Sequence, residues 1–390
     1  MKAAIVVQRY GLEVNGGAEY HCRLLAEHLS KYFEVSVLTT CALDYMEWRN
    51  HYPTGLSEVN GIPVHRFEVE KPRNVEEFNR FSEQVLLKPH SDAEELHWMD
   101  LQGPYCPSLL DHIRHNVDTY DFFVFFTYLY YTTFHGLPLV ADKSLLVPTA
   151  HDELPVRLRI FRKVFTSPRT IVYNTRAERD FVHSLFQNRN VPHAVVGTGV
   201  EIPQGMNYEG FSGQCDIDHE SILYVGRIDE SKGCGELFEY FSRYKSQRQT
   251  GLKLVLAGKP VMVVPRHPDI ISIGFVSEVE KFSALAKAKV VVLPSPYESL
   301  SMVNLEAWML EKPVLSNGRS RALRDNCVFS NGGLYYTSYE EFQACLDYLL
   351  HNPSDRAKMG SNGHAYVEAN YSWPAIEKKY LKIIDECIVH

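Results

Sequence analysis

The stretch KVVVLPSPYESLSMVNLEAWMLEKPVL, from Lys289 to Leu315, decides the fold. It opens on a solid apolar run, turns through two prolines, continues with helical apolar spacing and closes on a second apolar run. That order is strand, turn, helix, strand. Ser299 or Ser301 can cap the helix. The N–H groups of Ser301, Met302 and Val303 then point outward at a helix N-terminus, where an anion is favoured. Glu298 stands at the turn and Glu306 follows with seven residues between them. At helical rise the two carboxylates lie on the order of 10–12 Å apart. Glu298 cannot serve the anion, because like charges repel, so it addresses a neutral or cationic group. Two unrelated surface glutamates would show the same spacing, so the decision rests on the rest of the chain.

Working outward, the same alternation recurs. Strands are expected at 3–8, 34–40, 121–127, 144–152 and 170–175, and again at 221–228, 252–258, 270–275, 289–295 and 313–317. Most are solid apolar runs, the mark of strands buried on both faces of a parallel sheet. Helical patterns lie between them, as in GGAEYHCRLLAEHLSKY, where Ala18, Cys22, Leu25 and Leu29 share a stripe. Alternation twice over implies an α/β protein of two doubly wound domains. The break falls in the glycine-rich polar segment 197–218, which divides the chain into domains 1–200 and 201–371 followed by a C-terminal segment 372–390. Residues 70–117 read as a polar, partly amphipathic insertion.

At 390 residues the chain exceeds one ordinary core, which agrees with two domains. A net charge of −8 gives no reason to expect nucleic acid. The opening MKAAIVVQRYG reads as a strand rather than a leader. The aromatic DFFVFFTYLYYTTF is too short and too polar to span a bilayer. The eight cysteines are scattered without a CxxC pair, which suits free thiols in a reducing cytoplasm.

Four further motifs fall at expected strand ends. NGGAE places Gly16 and Gly17 between the first strand and the first helix, where backbone N–H groups can approach an anion, although a plain turn would read the same way. It does not match the dinucleotide G-x-G-x-x-G pattern. GRIDESKG brings Arg227 and Lys232 to the end of the second domain's first strand, where two cations suit a diphosphate or are simply solvated. TAHDE sets His151 at another strand end, as a ligand or as a cap. TYLYY, 127–131, offers tyrosines for sugar stacking or for the core. By contrast DID, 216–218, falls before a strand and reads as solvated charge, so no metal is expected. VRLRIFRK, 156–163, reads first as an amphipathic helix and second as a surface for anionic lipid. With every motif at a strand end, the glutamate pair fits a nucleotide sugar. The sugar would lie by Glu298, the diphosphate at the helix N-terminus and the Arg227/Lys232 pair, and the ribose diol by Glu306.

These residues resemble the family-4 retaining glycosyltransferases of the GT-B fold. The E-x7-E signature appears as Glu298 and Glu306, GR-x4-KG as Arg227, Lys232 and Gly233, the first-loop glycines as Gly16 and Gly17, and the HD pair as His151 and Asp152. GFVSEVEKFSALAKAKVVVLPS resembles the stretch that cradles the base, with Phe275 and Val276 at its start. YSWPAIEKKYLKII resembles the last helix. Two departures stand out: NGVD reads GTGVE, and EGFG reads ESLS. The resemblance implies two Rossmann-like domains facing across a cleft, with segment 372–390 crossing back to the first. It implies transfer of a hexose-type sugar from a UDP- or GDP-sugar, with retention and without metal or other cofactor. The acceptor would be a glycan, a lipid-linked molecule or a small molecule, in polysaccharide or glycoconjugate biosynthesis. Glu298 and His151 would be catalytic; Gly16, Gly17, Arg227, Lys232, Phe275, Val276, Ser301, Met302, Val303 and Glu306 would bind the donor. A cytoplasmic location follows, with peripheral contact at the inner face of the membrane as an extension.

Two alternatives share these residues: a nucleotide-sugar epimerase or hydrolase of the same fold, and a non-catalytic sugar-nucleotide binding protein. A dehydrogenase lacks its glycine fingerprint.

Overall fold

The computed structural model describes residues 1–14, 16–202 and 220–389. DID and most of the segment 197–218 therefore lie outside the described residues. The chain forms two compact units. Unit 1 comprises Met1–Gly199 and the C-terminal stretch from Ile376; unit 2 comprises Val200–Ala375.

Unit 1 contains β1 (Lys2–Val6), β2 (Glu34–Thr40), β3 (Gly55–Val59), β4 (Ile62–Phe67), β5 (Phe122–Phe126), β6 (Ser144–Val147), β7 (Thr170–Tyr173) and β8 (His193–Val195). They form one sheet in the order β3-β4-β2-β1-β5-β6-β7-β8. All pairings are parallel except β3 with β4. The helix α1 (Gly17–Leu29) follows β1. Every residue of β5, FFVFF, is buried, as a central parallel strand requires. Phe123 and Phe125 enter the core with Leu146, Phe161 and Phe165.

The β3–β4 hairpin was not among the expected strands. Its signal is the Asn60-Gly61 dipeptide, both residues in the left-handed region at φ 50° and 80°. That is the conformation of a two-residue hairpin turn.

The expectation for 70–117 also changes. The segment folds into α2 (Val75–Leu87), α3 (Asp92–Gln102) and α4 (Pro107–His115). Asn74 caps α2, and Ser91 with Glu94 forms a capping box on α3. Val85, Trp98, Met99, Leu109, Leu110 and Ile113 join the core of unit 1, so the insertion helps to build the domain. Arg73 fastens its start by donating to the Tyr45 carbonyl at 3.0 Å.

Further along, VRLRIFRK is one helical turn at Pro155–Arg157 and then α5 (Phe161–Thr166). Val156, Leu158, Phe161, Val164 and Phe165 are buried in the core, so this segment keeps no apolar face for lipid. Arg157 pairs with Asp152 and Arg159 with Glu95. After β7 comes α6 (Arg176–Phe186).

Unit 2 contains β9 (Ser221–Val225), β10 (Lys253–Ala257), β11 (Ile270–Gly274), β12 (Val290–Leu293), β13 (Val314–Asn317) and β14 (Gly333–Tyr336). They form an all-parallel sheet in the order β11-β10-β9-β12-β13-β14. The helices are α7 (Cys234–Gln247), α8 (Glu278–Lys287), α9 (Met302–Met309), α10 (Arg321–Ser330), α11 (Tyr339–His351) and α12 (Pro353–Tyr371). Trp308 of α9 is fully buried and donates its indole N–H to the Gly332 carbonyl at 2.8 Å. A Cβ on Gly363 of α12 would lie 2.2 Å from that ring, so only glycine admits it. This contact fixes α9 against α12.

The last helix, α13 (Trp373–Ile384), begins after a break at Ser372 and enters unit 1 from Ile376 onward. There Glu377 accepts hydrogen bonds from Lys31 at 2.9 Å and Tyr32 at 2.8 Å, and lies 2.5 Å from His28 Nδ1. No described helix is long and apolar enough to cross a membrane.

Candidate functional site

In unit 2 the chain starts at β9, moves outward through β10 and β11, and then returns to the other side of β9 as β12. The switch point between β9 and β12 opens a crevice at the carboxyl ends of the strands, where such sheets hold ligands. Two loops flank it, 226–233 after β9 and 294–301 after β12.

Asp229 organises the first loop. Its carboxylate accepts the Lys232 N–H at 3.0 Å and the Ser231 hydroxyl at 2.6 Å, and it pairs with the Arg227 guanidinium. Burial alone would raise the Asp229 carboxyl. The Ser231 hydrogen bond, the Arg227 charge and the Lys232 N–H outweigh burial and hold it below its ordinary value. Gly233 ends the loop at φ 74°, and a Cβ there would lie 2.3 Å from the Pro294 carbonyl oxygen. Only glycine allows the two loops to come this close. As a result Lys232 Nζ donates to Glu298 Oε1 at 2.7 Å. The cation expected at a diphosphate and the carboxylate expected at a sugar are thus neighbours.

Ser301 caps α9, its hydroxyl accepting the Asn304 N–H at 3.4 Å. It adopts φ 73°, a strained conformation for serine. The N–H groups of Met302 and Val303 sit in the first turn, where no intrahelical partner exists. Phe275 follows β11 and is 68% exposed, so its ring is presented to solvent rather than to the core. Val276 beside it is half-buried, and Ser277 with Glu280 forms the capping box that opens α8. β11 is two strands from β9, about 10 Å across the sheet.

Glu306 differs from the expectation of an open carboxylate. It is 2% exposed and accepts a hydrogen bond from Lys281 of α8 at 2.8 Å. Burial pushes the Glu306 carboxyl up and the Lys281 charge opposes that shift. One oxygen, Oε2, is buried without a hydrogen-bond partner.

In unit 1 the expected anion site at Gly16 and Gly17 is already faced by a carboxylate. Glu19, in the first turn of α1, is 6% exposed. Its Oε1 accepts from Gln8 at 2.8 Å and from Arg9 Nε at 3.1 Å. A Cβ on Gly16 would lie 2.1 Å from Glu19 Oε2, so the glycine makes room for Glu19. A Cβ on Gly17 would meet nothing within 4 Å.

His151 follows β6. Ahead of it, Pro148 has no N–H and Thr149 turns to φ 52°, which ends the strand at Val147, short of the expected 152. The N–H of Ala150 donates to buried Glu178 at 2.6 Å. His151 Nε2 lies 3.5 Å from Glu153. In TYLYY, Tyr128 and Tyr131 are core residues, leaving Tyr130 half-buried.

The structure therefore gathers Arg227, Lys232, Glu298 and the Ser301–Val303 turn in unit 2. It turns Glu306 toward Lys281, and it holds Gly16, Gly17 and His151 on unit 1. Reading the sequence missed Arg9, Glu19, Glu153, Asp229 and Lys281. All but Arg9 lay inside motifs already singled out: Glu19 in NGGAE, Glu153 in TAHDE, Asp229 in GRIDESKG and Lys281 in GFVSEVEKFSALAKAKVVVLPS. Among the described residues no three His, Cys, Asp or Glu side chains converge as metal ligands.

Residues 213–366 match the family model described as glycosyl transferases group 1. The capsular polysaccharide biosynthesis glycosyltransferase CapM of Staphylococcus aureus is 27% identical over 43% of this chain and 48% of its own length, so the match spans about half of that relative. An uncharacterized glycosyltransferase of Methanocaldococcus jannaschii is 24% identical over 98% of this chain and 97% of its own. Among solved structures, Anabaena HepE in complex with UDP-glucose superposes with a TM-score of 0.70 at 14% identity, covering 99% of this chain and 100% of that one. The two-unit α/β fold is that of the GT-B glycosyltransferases.

Proposed function

We propose that this chain, with its GT-B fold, is a glycosyltransferase that moves a hexose-type sugar from a nucleoside diphosphate sugar to a hydroxyl acceptor, with retention at the anomeric carbon. The observation that carries this reading is the Lys232–Glu298 pair, set at the switch point and beside the N-terminus of α9. A cation and free helix N–H groups suit a diphosphate, and the adjoining carboxylate suits a sugar that gains positive charge. The similarity to glycosyltransferases over 213–366, and over nearly the full chain in the archaeal relative, supports the same class.

In this account Arg227, Lys232 and the N–H groups of Met302 and Val303 bind the diphosphate. Phe275 and Val276 receive the base, and Glu306 receives the ribose diol. As the bond from the anomeric carbon to the diphosphate oxygen breaks, negative charge grows on the phosphate and these donors bind it more tightly. The acceptor oxygen forms the new bond on the same face, and its proton passes to the departing phosphate oxygen. Glu298 and His151 orient the sugar. No resident metal is required, because fixed cations take its place. The acceptor is a glycan, a lipid-linked molecule or a small molecule, and CapM's role suggests polysaccharide assembly. Free thiols at Cys22, Cys41, Cys106, Cys234 and Cys327 support a reducing compartment.

The test is release of nucleoside diphosphate from a labelled panel of UDP- and GDP-hexoses, with and without candidate acceptors. Acceptor-dependent release with label in the acceptor is expected. Release without any acceptor product indicates a hydrolase or epimerase, and no release from any donor overturns the enzyme reading.

A further inference from the structure

The register between β12 and β13 pairs Leu293 with Ser316 and ends there. The next residue, Pro294, is buried and has no N–H to continue the ladder. Its carbonyl oxygen faces two neighbours instead. One is Gly233, so close that a Cβ there would lie 2.3 Å away. The other is Asn317, the last residue of β13, whose Nδ2 donates to it at 2.9 Å. Asn317 is fully buried. Its Nδ2 also reaches Glu236 Oε1, in the first turn of α7, at 3.3 Å. Its Oδ1 accepts the backbone N–H of Arg319 at 3.1 Å and the Nε of the same residue at 3.2 Å. The Arg319 guanidinium in turn pairs with Glu236. Both ends of the amide are thus engaged, and only one orientation satisfies them. Arginine can only donate, so Oδ1 faces Arg319 and Nδ2 faces the Pro294 carbonyl.

We propose that Asn317 is a positioning residue, which sets the spacing of the Lys232 and Glu298 loops through the Pro294 carbonyl while Arg319 and Glu236 fix its amide. The proposal rests on the reading of that pair as part of the donor site. Pro294 and Gly233 are where the two loops meet, and Lys232 and Glu298 stand one and four residues from that joint. Without the amide, the Pro294 carbonyl would be a buried acceptor that has lost a donor, and the segment would shift to recover one. A shift there carries Glu298 away from Lys232, and about 1 Å is enough to misplace a charge-stabilising group. Arg319 lies on the same carboxyl edge as Arg227 and Lys232. Its guanidinium is taken by Glu236, so its task is to hold the amide rather than the diphosphate.

Two readouts test this on the full-length protein. The first is a crystal structure of Asn317→Ala without ligand. The Lys232–Glu298 contact of 2.7 Å should open beyond the ion-pair limit of about 4 Å. Arg319→Gln removes a donor from Oδ1 at a half-exposed site, so it should open the contact by less and serves if Asn317→Ala does not fold. The second readout is calorimetric binding of bare UDP and GDP. With Asn317 in place, Glu298→Gln releases Lys232 and should lower Kd about three- to tenfold. In the Asn317→Ala background that gain should fall below about twofold, because the pair is already apart. A merely structural role would lower the thermal midpoint and leave the gain intact. A contact still at 2.7 Å, or an undiminished gain, overturns the proposal, whether in Asn317→Ala or in the Arg319→Gln that stands in for it. If wild type binds neither diphosphate, the donor reading falls and the crystal structure still decides the spacing.

Discussion

Replacing Glu298 with glutamine should tighten the binding of a bare nucleoside diphosphate while abolishing most turnover. The reason is the 2.7 Å contact between Glu298 and Lys232. A diphosphate entering the crevice must share Lys232 with a carboxylate that also repels it. Glutamine keeps the shape, removes the negative charge and frees the ammonium. The side chains are 19% and 36% exposed, so water screens the pair and the Coulomb energy of a buried contact does not apply. A partly exposed pair is worth about 0.5–1 kcal/mol. Removing the repulsion as well brings the gain to roughly 1 kcal/mol, or a three- to tenfold lower Kd. Isothermal titration with UDP and with GDP measures it, at low salt and at high salt. The gain should shrink as salt rises, since it is electrostatic. Transfer should meanwhile fall by on the order of 10²–10³-fold in kcat, the scale for losing a group that meets transition-state charge. If Glu298→Gln binds both diphosphates no better than wild type at low salt, the pair does not stand at the diphosphate and the assignment of Lys232 fails.

Other consequences follow from particular contacts. Glu306→Gln removes the buried carboxylate charge that faces the Lys281 ammonium at 2.8 Å, so it should cost unit 2 about 2–3 kcal/mol, seen as a lower thermal midpoint. An unchanged midpoint would mean that the Lys281 contact is not structural. Gly233→Ala forces a Cβ against Pro294 at a positive φ, and should lose diphosphate affinity together with stability; wild-type values in calorimetry would refute the loop packing. In Glu377, burial is outweighed by hydrogen bonds from His28, Lys31 and Tyr32, which bring its carboxyl down to about 2. A depressed carboxyl stabilises fully above its unfolded value of 4.5 and loses that contribution as pH falls toward 2. With Lys31 half exposed, about 2 kcal/mol is expected, so unfolding curves of wild type and Glu377→Gln should converge over that window. Sugar transfer should survive excess EDTA; loss on chelation with rescue by magnesium or manganese would refute metal independence.

Much of the fold was legible because fully buried parallel strands leave solid apolar runs, as in FFVFF and VVVL. The strand ends were not, since buried apolar residues recur within the loops at the carboxyl edge. Val225 ends β9, yet Ile228 is fully buried, and only backbone pairing separates strand from loop. The insertion misled for a different reason. α3 buries Glu95, Trp98, Met99 and Gln102 on one face, but two of the four are polar and Glu95 binds Arg159 and the Ile160 N–H, so no apolar stripe marks it as core. The candidate site was legible as residue types at strand ends. What stayed hidden was which charges neutralise one another. Lys281 and Glu306 are 25 positions apart and Lys232 and Glu298 are 66, separations that no helical or strand period connects. Arg9 and Glu19 sit nearer in sequence, but a turn whose shape depends on Gly16 brings them together.

The most direct test of the central claim is a structure of the chain with a bound UDP- or GDP-hexose. The account predicts diphosphate oxygens at hydrogen-bond distance, about 2.7–3.2 Å, from Lys232 Nζ, the Arg227 guanidinium and the Met302 or Val303 N–H, with the hexose against Glu298. A diphosphate bound away from the β9–β12 switch point, with the Lys232–Glu298 pair untouched, would contradict it.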